Sequence, residues 1–463
     1  MTFQTTNQTS LQTPLDTAGS ATPRHGACLD FIHNLNFDAL PEAVIQQAKI
    51  CLLDLLGVAA AGQSTRLSRI MSGFVQSQYP GDIPLLFEGA SASACGSALY
   101  GAMLIDSVDA HDGQVLTKGH VGVTVLPAML SQICAKPVDG KELLTTLVMG
   151  YEIATRAGIA LHATADDYHT SGAWNGLAAA AVVARLRGLD ADKTWEAIGS
   201  AEFYGPRSQM MRCIDYPTMV KDGSGWGALA GVSCALMAEH GFTGAPAITI
   251  SDEQVTDIWG DLGQRWYILE QYFKAYPVCR WAQPAVEAVR QIGSEQSLNP
   301  DDIAEIHIHT FHQGARLHVK HPDTTEQAQY SLPFSVASAV LDGVVTAEAV
   351  AETDSGLGDA RRQALSGKVI THEVAEYDAL FPAERWAHAR IVLNDGTELA
   401  SEPCIARGNP ENPLTEDEII SKFHTLAGPY VADTRRQNIA ELSMNLQALD
   451  SDEIVAYLAL LKD

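Results

Sequence analysis

Residues 43–62 read AVIQQAKICLLDLLGVAAAG. Val44, Ala48, Cys51, Leu52, Leu55 and Leu56 recur at the spacing of one helix face, after a start at Leu40–Pro41–Glu42 and before interruptions at Gly57 and Gly62. The same texture returns in GSALYGAMLIDSVDA (96–110), VLPAMLSQICA (125–135), KELLTTLVMGYEIATRAGIALHA (141–163) and NGLAAAAVVARLRG (175–188). Nearly everything from residue 40 to about 245 is therefore expected to be helical, with no strand run to build a doubly wound sheet. Runs such as Ala178–Ala181 predict close helix–helix approach inside a large bundle.

Outward from this bundle the texture changes near residue 275. IAEIHIHTF (303–311) alternates around Ile306, Ile308 and Thr310, and ARIVLNDGTELAS (389–401) gives two strand-like runs joined at Asn394–Asp395–Gly396. SLPFSVASAVLDG (331–343) and TAEAVAET (346–353) between them read as helices, the pattern of an α+β unit. Beyond Pro410, EIISKFHTLAG, RQNIAELSMNLQALD and EIVAYLALLKD are helical again but too short to form a core alone. The expectation is an α plus α+β architecture: a flexible arm over 1–27, an all-helical domain of 28–272 and 405–463, and a smaller α+β domain of 273–404 inserted into it.

Of 463 residues, 46% are apolar and 19% charged, the balance of a folded chain. The net charge of −26 excludes a nucleic-acid binder, which needs a basic footprint, and makes each local cluster of cations informative. The apolar runs read as too short to cross a bilayer, the first residues lack the pattern of a signal peptide, and a cytoplasmic location is expected. Eight scattered cysteines without a C-x-x-C pair read as reduced side chains, not as a metal or iron–sulfur framework.

No nucleotide, zinc-protease or serine-hydrolase motif is present, and KDGSGWGALAG (221–231) does not fit the dinucleotide fingerprint. The chemistry is instead expected from side chains. Asp106-Ser-Val-Asp109-Ala-His111-Asp112-Gly113, followed by Thr117-Lys118-Gly119-His120, breaks an apolar helix with acids, bases and glycines, for which bundle packing gives no reason. Asp109 can orient a histidine, and a histidine suits proton transfer. Divalent-metal binding by Asp109, His111, Asp112 and His120, or a structural polar loop, is the rival reading. His169 lies before a Ser/Thr cap of the next helix, and Lys221, Lys274 and Arg280 sit beside Gly, Tyr and Phe residues that can anchor a cation near a cavity. Ordinary capping and surface charge are the alternatives for these.

Six segments, in order, resemble the MmgE/PrpD family of 2-methylcitrate dehydratase, cis-aconitate decarboxylase and iminodisuccinate epimerase. They are QQAKICLLDLLGVAAAG, DSVDAHDG with KGHVGVTVLPA, YHTSGAWNGLAAAAVVARLRGL, MVKDGSGWGALAGVSCALMAEHGFTG, FKAYPVCRWAQPAVEAV and YSLPFSVASAVLDG. The resemblance implies a large helical domain completed by the C-terminal segment, an inserted α+β domain, a homodimer, a small di- or tricarboxylate substrate, and no cofactor or metal. It places catalytic roles on Asp109, His120, His169, Lys221 and Lys274, with His111, Lys118 and Arg280 as substrate-binding candidates. The chain departs from the family pattern at Asp109-Ala110-His111-Asp112-Gly113, where a histidine replaces an acid and the hydroxyl is lost. It departs again at His120-Val121, around Cys279–Arg280, and near Gln313–Ala315, where the tyrosine of decarboxylating members has no clear match.

All three family reactions move a proton beside a carboxylate. Histidine can exchange the proton, lysines can hold carboxylates where charge develops, and aspartate can orient the histidine. The expected function is a cofactor-independent dehydratase or hydratase. Epimerisation and decarboxylation are the enzymatic alternatives, and a polycarboxylate-binding protein the non-enzymatic one.

Overall fold

The computed structural model describes residues 24–296 and 298–462, and most of them are helical. The helix Glu42–Gly62 is buried along most of its length and runs through the main core with Ala94–Asp106, Gly122–Ile133, Gly140–Thr164, Gly172–Arg187 and Ser224–Glu239. Starts are fixed locally: the side chains of Thr65, Ser93, Asp139 and Asp190 each accept a backbone N–H of the helix that follows. Small residues let the central helices touch, as expected from the alanine runs; a Cβ at Gly231 would collide with the Gly176 carbonyl. The first helix is Arg24–Asn34, so residues 24–27 are helical, and the remainder of the expected arm, 1–23, lies outside the described residues.

The smaller unit holds a sheet in the order Val369–Glu373, Ile303–Thr310, Trp386–Leu393, Glu398–Ala400, with Cys404–Ile405 also on the third strand. The central strand is parallel to the first and antiparallel to the third, with Ile306 opposite Ile391 and Ile308 opposite Ala389. Its alternating Ile306 and Ile308 face a second core with Val286, Val289, Phe334 and Val336 from the helices Gln283–Glu295 and Leu332–Asp342. The expected turn forms after Leu393, with Gly396 at φ 86°. TAEAVAET is not a helix. The Thr346 hydroxyl accepts the Ala349 N–H, Glu348 takes the Thr353 and Ser355 hydroxyls, and Leu357 N–H returns to the Ala351 carbonyl, which closes turns instead.

A large helical domain with a smaller α+β domain is therefore the fold. Ile419, Phe423, Ile439, Ile454 and Tyr457 of the C-terminal helices pack into the helical core. Lys422 reaches across to the Asp54 carboxylate at 2.5 Å and to the Ala110 carbonyl at 2.7 Å. Among the described residues, Glu42–Gly62 alone is long and apolar enough to cross a membrane, and its apolar surface is buried inside the protein. The helical region also contains two-residue ladders, one of which pairs Gly113–Gln114 with Gln271–Tyr272. That ladder brings the polar break after Asp106 beside the segment carrying Lys274.

Candidate active site

Asp109 lies just beyond the end of Ala94–Asp106 at φ 58°, a backbone setting that places its carboxylate in the interior. Lys274 Nζ approaches Asp109 Oδ1 at 3.1 Å and donates to the Asp109 carbonyl at 3.0 Å, while Lys221 Nζ stands 3.8 Å from the same Oδ1. All three side chains are buried. Burial opposes the charge on Asp109, but the ammonium groups of Lys274 and Lys221 outweigh it and hold the carboxyl below its usual range. The only non-glycine residues with positive φ among those described are Phe87, Asp109, Lys118 and Lys221. Three of the four are candidate site residues, where backbone strain of about 1–3 kcal/mol each is held by the surrounding packing.

His120 Nδ1 lies 2.7 Å from the Asp112 carbonyl, which only accepts, so Nδ1 carries the proton and Nε2 is left as the base. Nε2 stands 3.9 Å from Asp222 Oδ2. Burial, reinforced by the charge of Lys274, brings the His120 pKa down to about 3, so the ring is neutral. His111 packs 4.3 Å from the His120 ring, and burial keeps it neutral too. The carboxyls behave oppositely. Burial raises Asp106 and Asp112 to about 7 and Asp222 to about 6, against the opposing pull of Lys221, the Tyr151 hydroxyl and the Ser171 hydroxyl respectively. At neutral pH the histidines of this interior are thus neutral, Asp106 and Asp112 are part protonated, and Asp109 stays ionised. Both Asp106 oxygens, Asp109 Oδ2 and both His111 nitrogens are buried without a hydrogen-bond partner among the described residues.

The fold brings Asp109, His111, His120, Lys221 and Lys274 into one cluster. The bonds of His169 run elsewhere: its N–H goes to His162, its Nδ1 to the Asp167 carbonyl at 2.8 Å, and its backbone bridges Gln209. Ser171 does not cap the helix that follows. Its hydroxyl instead accepts the His120 N–H at 2.9 Å and donates to Asp222 at 2.7 Å, two demands that outcompete a local cap. Arg280 stacks over Tyr272 and spends its guanidinium on Gln283, Asn409 and the Arg407 carbonyl, tying loops together. Lys118 extends over the Tyr168 ring at 5.1 Å.

Sequence reasoning passed over Asp222, Ser171, Tyr151 and Gln329. Asp222 was legible, since it adjoins Lys221 in the same string. Gln329 carried no local signal: it comes from the smaller unit, accepts from Lys221 Nζ at 2.7 Å and donates to the Ser107 carbonyl at 2.9 Å. Met210, Cys213 and Ile214 likewise leave the helical core for the smaller one, so the segment leading to Lys221 lies between the two. A cavity of about 330 Å³ lined by Thr170, Ser208, Arg212, Cys213 and Lys221 opens onto this junction. Among the described residues no three His, Cys, Asp or Glu side chains converge as metal ligands.

Paired buried ammonium groups and a neutral histidine at the junction of a helical and an α+β domain suit a site for small carboxylates. The chain belongs to the MmgE/PrpD family, whose N-terminal domain matches residues 28–259 and whose C-terminal domain matches residues 276–447. It is 22% identical to the cis-aconitate decarboxylase of Aspergillus terreus over 457 residues, covering 90% of this chain and 91% of that one. The cis-aconitate decarboxylase of Homo sapiens is also 22% identical, over 469 residues and 92% of both chains. A cis-aconitate decarboxylase-like protein of Aspergillus oryzae matches at 22% over 477 residues, covering 93% of this chain and 96% of that one.

Proposed function

We propose that the chain is a cofactor-independent lyase for a small polycarboxylate, and that it decarboxylates an acid of the cis-aconitate type. The names of the relatives favour this reaction over the dehydration expected from the sequence. The observation that carries the substrate class is the pair of ammonium groups, at 3.1 and 3.8 Å, on one buried carboxylate beside His120. Lys221 and Lys274 receive substrate carboxylates. Burial first and the Lys274 charge second depress His120; the added negative charge of the substrate offsets the second, and the ring takes up a proton from solvent before the chemical step. His120 then protonates the vinyl carbon while the bond to the departing carboxylate breaks. Its electron pair forms the new double bond and CO2 leaves. Asp109 holds the two lysines in register for this step.

A specific observation also supports dehydration. The bare His120 Nε2 is a ready base, and Asp106 and Asp112, at about 7, are ready acids for a leaving hydroxyl. Proton NMR in heavy water with citrate-like, aconitate-like and aspartate-derived acids separates the readings. Carbon loss with deuterium in the product methylene supports decarboxylation. Olefin formation without carbon loss replaces it by dehydration, and binding without conversion makes the chain a polycarboxylate-binding protein. We also propose a homodimer, supported by the exposed apolar side chains of Phe203, Tyr204, Tyr216, Val220 and Trp226, which a second copy would cover.

A further inference from the structure

Arg385 immediately precedes the strand Trp386–Leu393 of the smaller domain and is only 8% exposed. Among the described residues its Nε has no hydrogen-bond partner and no acid pairs with its guanidinium, which lies 5.9 Å from the centre of the Phe381 ring. Buried guanidinium groups are ordinarily paired, because an unpaired buried charge is costly. In a sequence with 56 acidic residues, the lack of an acidic partner among the described ones is a property of the place.

That place is cationic. Phe381, beside Arg385, meets Trp281 edge-on at 5.8 Å, Arg280 next to Trp281 stacks over Tyr272, and the Tyr272 hydroxyl and the Gly119 carbonyl, next to Lys118, both crowd Gly113; the charge of Arg385 is felt at Lys118, Arg280, Tyr168 and Tyr272. Arg280 already spends its donors on loop carbonyls and amides. Lys118, by contrast, is set at φ 52°, with its ammonium over Tyr168 and no ion pair to a carboxylate among the described residues. The cluster borders the reacting groups: the rings of Tyr272 and His120 are 6.4 Å apart, and the Tyr168 hydroxyl is bonded to the Lys118 carbonyl. We infer that Arg385, together with Lys118, forms a second anion-binding end of the site and holds a substrate carboxylate remote from the one at Lys221 and Lys274. The inference rests on the polycarboxylate reading above. It assigns specificity for a third carboxylate to the smaller domain, and makes productive binding depend on both domains.

Arg385→Met and Arg385→Lys in the full chain test it by calorimetric titration with propane-1,2,3-tricarboxylate and with methylsuccinate, which lacks one terminal carboxylate. The wild-type chain is expected to prefer the tricarboxylate. Arg385→Met should weaken tricarboxylate binding by about 30-fold or more while leaving methylsuccinate nearly unchanged. Arg385→Lys should recover part of the loss, since it restores charge without the planar fork. Removing an unpaired buried charge should also leave the melting temperature unchanged or raised, whereas a purely structural arginine would lower it. Equal weakening of both acids, no weakening of either, or a wild-type chain that binds neither overturns the inference. A failed turnover assay with the tricarboxylate preference intact overturns the decarboxylase reading alone.

Discussion

Lys274→Met removes a buried ammonium group at nearly constant volume. The variant loses the 3.1 Å ion pair to Asp109 Oδ1 and the 3.0 Å bond to the Asp109 carbonyl, and leaves Asp109 with Lys221 alone, at 3.8 Å. Breaking a buried pair by removing one partner costs about 3–5 kcal/mol, and the remaining lysine places this case near about 3. The pH dependence identifies the cause. In the wild-type chain the Asp109 pKa is depressed, so its contribution is present above the unfolded value and lost only as pH falls through the folded one. With Lys274 gone, burial prevails and the folded pKa rises above the unfolded value. Asp109 then favours the fold at low pH, and that contribution is lost as pH rises through the new folded pKa. The stability gap between wild type and variant is therefore expected to be widest near about pH 8 and to shrink toward about pH 4.5, close to the unfolded carboxyl range. Urea midpoints of both proteins at the two pH values, followed by tryptophan fluorescence and circular dichroism, measure it. A gap that stays constant or widens in acid refutes an Asp109–Lys274 pair as its source.

His120→Gln should lower kcat by about 10²–10⁴-fold with substrate binding largely kept, and His169→Gln, whose bonds lie outside the cluster, should cost less. The reverse order in steady-state kinetics would move the proton-transfer role to His169. Asp106, raised to about 7 by burial, contributes stability that is lost as pH rises through that value. Asp106→Asn should flatten the fall in melting temperature between about pH 5.5 and 8.5, and an unchanged slope would count against it. Thorough chelation should leave activity intact. Activity lost on chelation and restored by one divalent ion would recast Asp109, His111, Asp112 and His120 as ligands. Light scattering should show a dimer both for the full chain and for a chain starting at Ala27; a monomeric full chain contradicts the proposed assembly.

The apolar periodicity of 43–62 and its repeats, the alternation at Ile306 and Ile308, and the turn at Asn394–Gly396 were enough to specify a helical domain joined to an α+β domain. Each of these signals is local, because burial on one face leaves its period in neighbouring residues. The KDG string and the broken helix after Asp106 also marked, from sequence alone, where charge is concentrated against packing logic. TAEAVAET shows the limit of that reading: its helix-like composition was overridden by hydroxyl and carbonyl contacts that close turns. Only the tertiary structure set Lys221 and Lys274 on the same Asp109 oxygen, took Ser171 from capping to a bridge that accepts the His120 N–H and donates to Asp222, and brought Gln329 across from the other domain. It alone left Arg385 buried with no acid paired to it among the described residues. These outcomes depend on burial and on distances between residues up to 222 positions apart, as in the Gln329–Ser107 bond, and such distances leave no period in the chain.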